Sequence, residues 1–403
     1  GKRYGFFPGF SAAWRGSEET FWKENIRFID YFKLRGSISQ TGNDRIANYQ
    51  FLNTYGFGGN FVFGNDEYKT LYPIRVPNPN ITWEKGTTYN VGLDFKFLEN
   101  KLSWESDAFY HKRTQMLIKR NASIPETSGM ELPEENIGEM CNRGFESMIS
   151  YTDRAGDFYY DLSFNMTYAK NKILFWDETP GAPSYQQSTG RPIWTGLYYV
   201  ADGVFNDQSE VDSYPHWNGA RPGDIKFVDV NGDGKIDAED RVRRDKNYEP
   251  RFVGGFTANL RWKQWDMSLF FQGATGAEVY VQTWSGEVGN FLKEFYDQRW
   301  TEDNPNVEHP RVYNREQEYW ITEQNTYFLR PMDYFRLKNA EIGYTFPSAW
   351  MSKAGISHLR LYMNASNLFT VDKLKVIDPE AENKDAVSYP QSRIFNFGAT
   401  ITF

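Results

Sequence analysis

The last eleven residues, RIFNFGATITF, alternate without a break. Phe395, Phe397, Ala399, Ile401 and Phe403 fall on one side, and Asn396, Gly398, Thr400 and Thr402 on the other. A period of two belongs to an extended strand with one apolar face, because successive side chains of a strand point to opposite sides. The pattern recurs. Tyr89, Val91, Leu93, Phe95 and Phe97 alternate with Asn90, Asp94 and Lys96. Tyr160, Leu162, Phe164, Met166 and Tyr168 alternate with Asp161, Ser163, Asn165 and Thr167. Phe252, Phe256, Ala258, Leu260 and Trp262 stand against Thr257, Asn259 and Arg261. A chain built this way is all-β.

A soluble sandwich also alternates, with its apolar face turned inward. Two features favour a membrane barrel. The apolar faces are about five residues long, which suits strands of roughly 9–11 residues crossing a bilayer at a tilt. The connections are also two-sided. Eleven strands are predicted near 4–15, 30–41, 86–98, 101–118, 143–152, 158–171, 251–263, 265–276, 327–346, 357–369 and 393–403. Short links (16–29, 98–101, 153–157, 263–265, 347–356) alternate with long ones (42–85, 119–142, 172–250, 277–326, 370–392). Short periplasmic turns and long extracellular loops are the outer-membrane pattern. With that polarity the first and last strands both descend. A single-chain barrel with both ends in the periplasm needs an even strand count, so an odd number of strands is expected before Gly1.

Composition agrees. Of 403 residues, 18% are aromatic, with 26 Tyr, 32 Phe and 13 Trp, which suits a chain that meets a membrane interface or stacks on sugars. Mean hydropathy is −0.68, and no apolar run approaches the roughly 18–20 residues of a spanning helix. The formal net charge of −8 argues against a nucleic-acid partner. A single cysteine, Cys141, excludes an intrachain disulfide and a Cys-type zinc site, and the four histidines show no ligand spacing. Neighbouring carboxylates such as Glu18 and Glu19 lack the facing geometry of a glycosidase, so no enzyme activity is expected.

Several blocks carry a family resemblance: RYGFFPGFSAAWR, YFKLRGSISQTGND, NPNITWEKGTTYNVGLD, GDIKFVDVNGDGKIDAED, YFRLKNAEIGYTFP, NASNLF and the terminal Phe403. In this order they resemble the C-terminal half of SusC/RagA-type TonB-dependent outer-membrane transporters of Bacteroidetes. The resemblance implies an antiparallel transmembrane β-barrel of about 22 strands around an N-terminal plug, of which this chain supplies about 11. It implies three kinds of partner: the rest of the barrel and plug, TonB acting through that part, and a SusD-like surface lipoprotein. The cargo would be oligosaccharide or, in some members, peptide. Import of siderophores or cobalamin is one alternative; a soluble β-rich carbohydrate-binding protein is another.

Three sets of residues are candidates for a site. DVNGDGKIDAED at 229–240 fits a twelve-residue calcium loop: Asp229, Asn231 and Asp233 at positions one, three and five, Gly234 at the sharp turn, and the Lys235 carbonyl at seven. Asp237 would follow at nine and Asp240 at twelve, where the shorter Asp replaces the usual Glu; Ile236 would anchor the loop on apolar surface. The alternative is an acidic Asx-turn loop without metal. Among extracellular aromatics, Trp194, Tyr198, Tyr199, Trp217, Trp284 and Trp300 could stack on a sugar, or simply pack the loops or meet a lipoprotein cap. Lys33, Arg35, Asp94, Asp107, Asp161, Asn165, Asn259 and Arg261 should line the lumen. A brief helix with Ser17 as N-cap is expected in 17–29, a β-bulge where the phase slips within strand nine, and a turn or rim segment at YGFGGN (55–60).

Overall fold

The structure is a computed structural model that describes residues 4–120, 132–282, 293–312, 318–381, 389 and 391–403. Eleven strands form one antiparallel meander: β1 (Gly9–Trp14), β2 (Ile29–Asn43), β3 (Glu84–Phe97), β4 (Leu102–Lys119), β5 (Glu134–Ala155), β6 (Phe158–Phe175), β7 (Phe252–Trp262), β8 (Trp265–Thr275), β9 (Tyr334–Thr345), β10 (His358–Asp372) and β11 (Ile394–Thr402). Each strand pairs with its neighbours in sequence, leaving β1 and β11 as edges. Among the described residues no helix is long and apolar enough to cross a membrane.

The register shows why the alternation matters. One row crosses nine strands: Phe32, Phe95, Trp104, Ile149, Phe164, Phe256, Phe271, Leu337 and Phe369. It is wholly apolar, and neighbouring rings approach to 5.0 Å (Phe32 and Phe95) and 5.4 Å (Phe95 and Trp104). Such cross-strand pairs each contribute roughly 0.2–1 kcal/mol. A row on the opposite face runs Thr152, Asp161, Asn259, Ser268, Glu341, Asn364 and Asn396. These side chains bond laterally. Thr152 donates to Asp161 (2.9 Å), Ser268 to Asn259 (2.8 Å) and Asn396 to Asn364 (2.9 Å). The apolar face suits lipid and the polar face a lumen. All eight lumen candidates lie on the polar face. At the short-turn end, Trp262 and Trp265 flank a two-residue turn and are about half exposed, as aromatics at a membrane interface are.

The strand-nine bulge is present, with Lys338 as its extra residue. It places Phe335 and Leu337 on the same face as Ala340, Ile342 and Tyr344, although the sequence puts them out of phase. Three boundaries and one loop segment differ from expectation. β1 begins at Gly9 rather than near residue 4. β9 begins at Tyr334, because 329–331 pairs with 278–280 instead. β5 starts at Glu134 and continues β4 well past the apolar zone, joined by Lys112 to Glu139 at 2.9 Å. YGFGGN is not a turn: it lies in a strand of an exposed hairpin, Tyr55–Phe63 with Asp66–Pro73. The helix is Thr20–Asn25, and Ser17 does not cap it but sits buried in the preceding 3-10 turn. Trp22 seats that helix by stacking on Phe32 at 4.7 Å.

Two lumen-face clusters share one construction. Arg35 on β2 reaches over Gly92 on β3 to Asp107 on β4 (2.8 Å) and also holds Asp94 (2.7 Å). Arg360 on β10 reaches over Gly343 on β9 to Asp266 on β8 and also holds Glu341 (2.7 Å). A Cβ on Gly92 would lie 2.5 Å from the Asp107 carboxylate and 2.6 Å from the Arg35 guanidinium carbon. The glycine clears the path of the arginine. Gly92→Ala in the intact protein should therefore cost about 1–3 kcal/mol by overpacking and lost pairing. The temperature of the heat-modifiable gel shift reads this, and an unchanged temperature would remove the bridging role.

Candidate functional site

The long connections after β6 and β8 do not hang free. The first, 176–251, carries short strands Leu197–Tyr199, Ala201–Val204, Ile225–Phe227 and Arg241–Arg243, and a helix Gln208–Ser213 capped by Asp207. The second, 276–333, carries Glu278–Tyr280 and Leu329–Pro331. Together they build a core of Tyr199, Ile225, Phe227, Ile236, Trp320, Ile321 and Phe328. Loops bury a core only if their backbone polar groups find partners. Here Tyr199 N–H donates to the Gln324 carbonyl (3.0 Å) and Ala201 N–H to Thr326 Oγ1 (2.9 Å), crossing from one loop to the other.

A buried charge locks the pair. Asp224, 1% exposed, accepts from Arg311 Nε (2.8 Å) and Trp320 Nε1 (3.2 Å). Arg311 also binds Glu318 (2.7 Å), which Arg221 holds from the first loop (3.0 Å). Burial pushes the Asp224 carboxyl up from its ordinary value, and the Arg311 charge opposes that shift.

The loop aromatics divide into two groups. Tyr199 is buried, T-shaped to Trp217 and stacked on Phe227 at 4.9 Å. Trp217 lies flat on Tyr319 (5.6 Å, 8°). Trp300 packs over Gly223 and donates to the Asn206 carbonyl (3.1 Å). These three are engaged in packing, Tyr199 fully and Trp217 and Trp300 in part. Trp284 lies outside the described residues. Trp194 and Tyr198 are different. Both line a cavity of about 260 Å³ with Gly196, Arg244, Lys246, Tyr248, Glu278 and Tyr280. Trp194 is 62% exposed and stacks on Tyr248 (6.0 Å, 13°); Tyr198 stacks on Tyr280 (5.8 Å, 20°). Trp194 holds a left-handed backbone, φ 61°, uncommon for so bulky a residue and found most where structure imposes it. Gly196 has no Cβ to strike the Tyr198 ring, which would come within 2.2 Å. Arg244 Nη2 bonds both Glu278 oxygens (2.9 and 3.0 Å), and Lys246 stands 3.7 Å away. Burial raises the Tyr198 hydroxyl above its ordinary pKa; Arg244 opposes the shift and Glu278 adds to it. Sequence reasoning missed Tyr248, Tyr280, Arg244 and Glu278. Only the fold brings them beside Trp194 and Tyr198.

The calcium-type segment forms a wrapped loop. Asp229 accepts from Gly232 N–H (2.7 Å) and Gly234 N–H (2.8 Å), Asn231 from Asp233 N–H (3.1 Å), and Asp233 from Lys235 N–H (2.9 Å). Asp240 is fully buried and accepts from Val230 and Asp237 N–H groups, both at 2.8 Å. Ile236 joins the loop core, as expected of an anchor. The donors are all oxygens, as a hard cation requires, although Asp240 Oδ1 already accepts from two backbone N–H groups, those of Val230 and Asn231. They are turned to backbone N–H groups, and among the described residues no three His, Cys, Asp or Glu side chains gather as a metal cluster.

The family described as TonB dependent receptor-like, beta-barrel, matches residues 2–368. The chain belongs to that family. It is of the SusC/RagA type and sits in the outer membrane. TonB-dependent receptor P3 of Formosa agariphila is 30% identical over 433 residues, covering 100% of this chain and 42% of that protein. SusC of Bacteroides thetaiotaomicron is 28% identical over 424 residues, covering 100% of this chain and 40% of that protein. The chain thus spans about two fifths of the length of these relatives. Structures of the RagAB peptide transporter match with TM-scores of 0.74 and, in its open-open state, 0.75, each at 22% identity and over 98% of this chain; they cover 43% and 42% of those chains. At that identity the likeness is one of fold.

The loop interlock makes its own prediction. Arg311→Met leaves Asp224 buried without its cation, which costs about 3–5 kcal/mol for a pair of this kind. Amide exchange across 197–228 and 318–328 should accelerate together. Acceleration confined to one of the two segments would mean that the loops are held independently.

Proposed function

We propose that this chain is the C-terminal barrel part of a TonB-dependent importer of oligosaccharides, working with a SusD-like surface lipoprotein. The observation that carries the reading is a wall polar on one face and apolar on the other, topped on its long-loop side by a packed aromatic unit. In this reading cargo is taken up at the outer face under the lipoprotein, and TonB acts through a plug held by the rest of the transporter. The chain supplies wall, outer loops and a binding cleft, and carries out no covalent chemistry. Cells carrying the intact transporter should accumulate labelled oligosaccharide, and deletion of TonB should abolish that accumulation. Undiminished uptake without TonB, or accumulation of labelled peptide in place of glycan, would overturn the reading.

We also propose that 229–240 takes up Ca²⁺ in a structural role. Asp229, Asn231, Asp233, Asp237, Asp240 and the Lys235 carbonyl would hold it. The support is the oxygen-only donor set around left-handed Gly232 and Gly234. With Asp in place of Glu at position twelve, affinity should fall in the weak extracellular range, a dissociation constant of about 0.1–1 mM. Calcium titration of the chelator-treated transporter should slow amide exchange in 229–240. The triple variant Asp229→Ala, Asn231→Ala, Asp233→Ala should lose that response; equal calcium binding by the variant defeats the ligand assignment.

A further inference from the structure

The cleft between Trp194 and Tyr198 has the construction of a site for a flat ring with hydroxyl groups. We propose that it is a subsite for one pyranose unit of an oligosaccharide, with Trp194 as its stacking platform; this rests on the oligosaccharide-import reading above.

Four observations carry it. First, the volume is right for a single unit. About 260 Å³ lies under the roughly 300–1,000 Å³ of sites that engulf a drug-sized ligand, so one ring of a longer chain fits while its neighbours stay outside. Second, the aromatic surface is rigid. Trp194 is backed by Tyr248 and Tyr198 by Tyr280, each in near-parallel stacking, so the rings are set before a ligand arrives. The apolar C–H face of a pyranose lies well on such a plane. Third, the polar tips are unpaired. Among the described residues the Trp194 indole N–H and the Tyr198 hydroxyl have no protein hydrogen-bond partner, and both residues line the cleft. Fourth, the carboxylate is already paired. Arg244 and Glu278 bond each other in a fork, so they offer directional hydrogen bonds to hydroxyl groups with much of their charge answered. Lys246 lines the cleft 3.7 Å from the same carboxylate and leaves it one positive charge in excess.

The backbone supports the assignment. Trp194 keeps a left-handed φ and a largely exposed indole. The indole packs on Tyr248 and still lines the cleft. The packed aromatics provide the contrast: Tyr199 is buried, and Trp217 and Trp300 are less exposed than Trp194.

The test uses the intact transporter in detergent. The probes are maltohexaose, cellohexaose, laminarihexaose, mannohexaose and xylohexaose, with tetra-alanine as the peptide arm, each titrated by tryptophan fluorescence and by saturation-transfer NMR. At least one hexasaccharide should bind with a blue shift that disappears in Trp194→Phe. Its affinity should fall about tenfold or more in Trp194→Ala and recover in part in Trp194→Phe, because a ring is restored. Heat-modifiable migration confirms that the variants keep their fold. Binding that ignores Trp194, binding of tetra-alanine alone, or binding of no probe overturns the subsite. TonB-dependent uptake of glycan by cells carrying Trp194→Ala would show that import stands even where the subsite fails.

Discussion

A backbone in hydrocarbon has no water to bond, so every amide must find its partner within the protein. That constraint organises this chain. From β2 to β10 each strand is paired on both sides, and only β1 and β11 keep an open edge. The side chains follow from the ladder. Because pairing fixes register, a row of apolar residues on one strand must continue on the next, or the face is broken. The unbroken row from Phe32 to Phe369 shows that rule kept across nine strands. Where β9 would have broken it, one extra residue at Lys338 restores the face. The open edges call for further strands, since a six-residue β1 and a nine-residue β11 exposed along nearly their whole length do not finish a sheet.

Inside that ladder the polar face is more than a wet lining. Arg35 and Arg360 each span three strands, and each needs a glycine on the middle one. The two clusters run in opposite directions along the sheet, with the arginine on β2 in one and on β10 in the other. Both lie toward the short-turn end. Their guanidinium groups are answered by wall carboxylates, so the arginines themselves offer little unbalanced charge to anything that passes.

The strands were legible in the sequence wherever one face was apolar and the other polar. They were not legible where that contrast fails. Glu134–Asn142 carries charge and polarity on both faces, because this part of β5 stands clear of the bilayer, so alternation did not mark it. The hairpin 55–73 hid behind four glycines and aromatics exposed on both sides. The bulge, by contrast, was readable as a slip of phase. The loop aromatics could be found but not sorted. Whether an indole packs or projects depends on residues far away in sequence, as Tyr319 covers Trp217 and Tyr248 backs Trp194. The twelve-residue acidic motif was visible at once, yet its oxygens serve the loop's own backbone first.

The lock between Asp224 and Arg311 ties the two longest connections into a single body. That body is anchored to the wall at four strand ends, those of β6, β7, β8 and β9, which are consecutive around the rim. The second loop is braced further by the connection after β10, where Leu374 is buried with Val279 and Met332. The loops thus stand at the mouth as one packed body rather than as two fingers. Inherited change should obey the same mechanics: a residue exchanged in one loop's shared core asks for an answering exchange in the other.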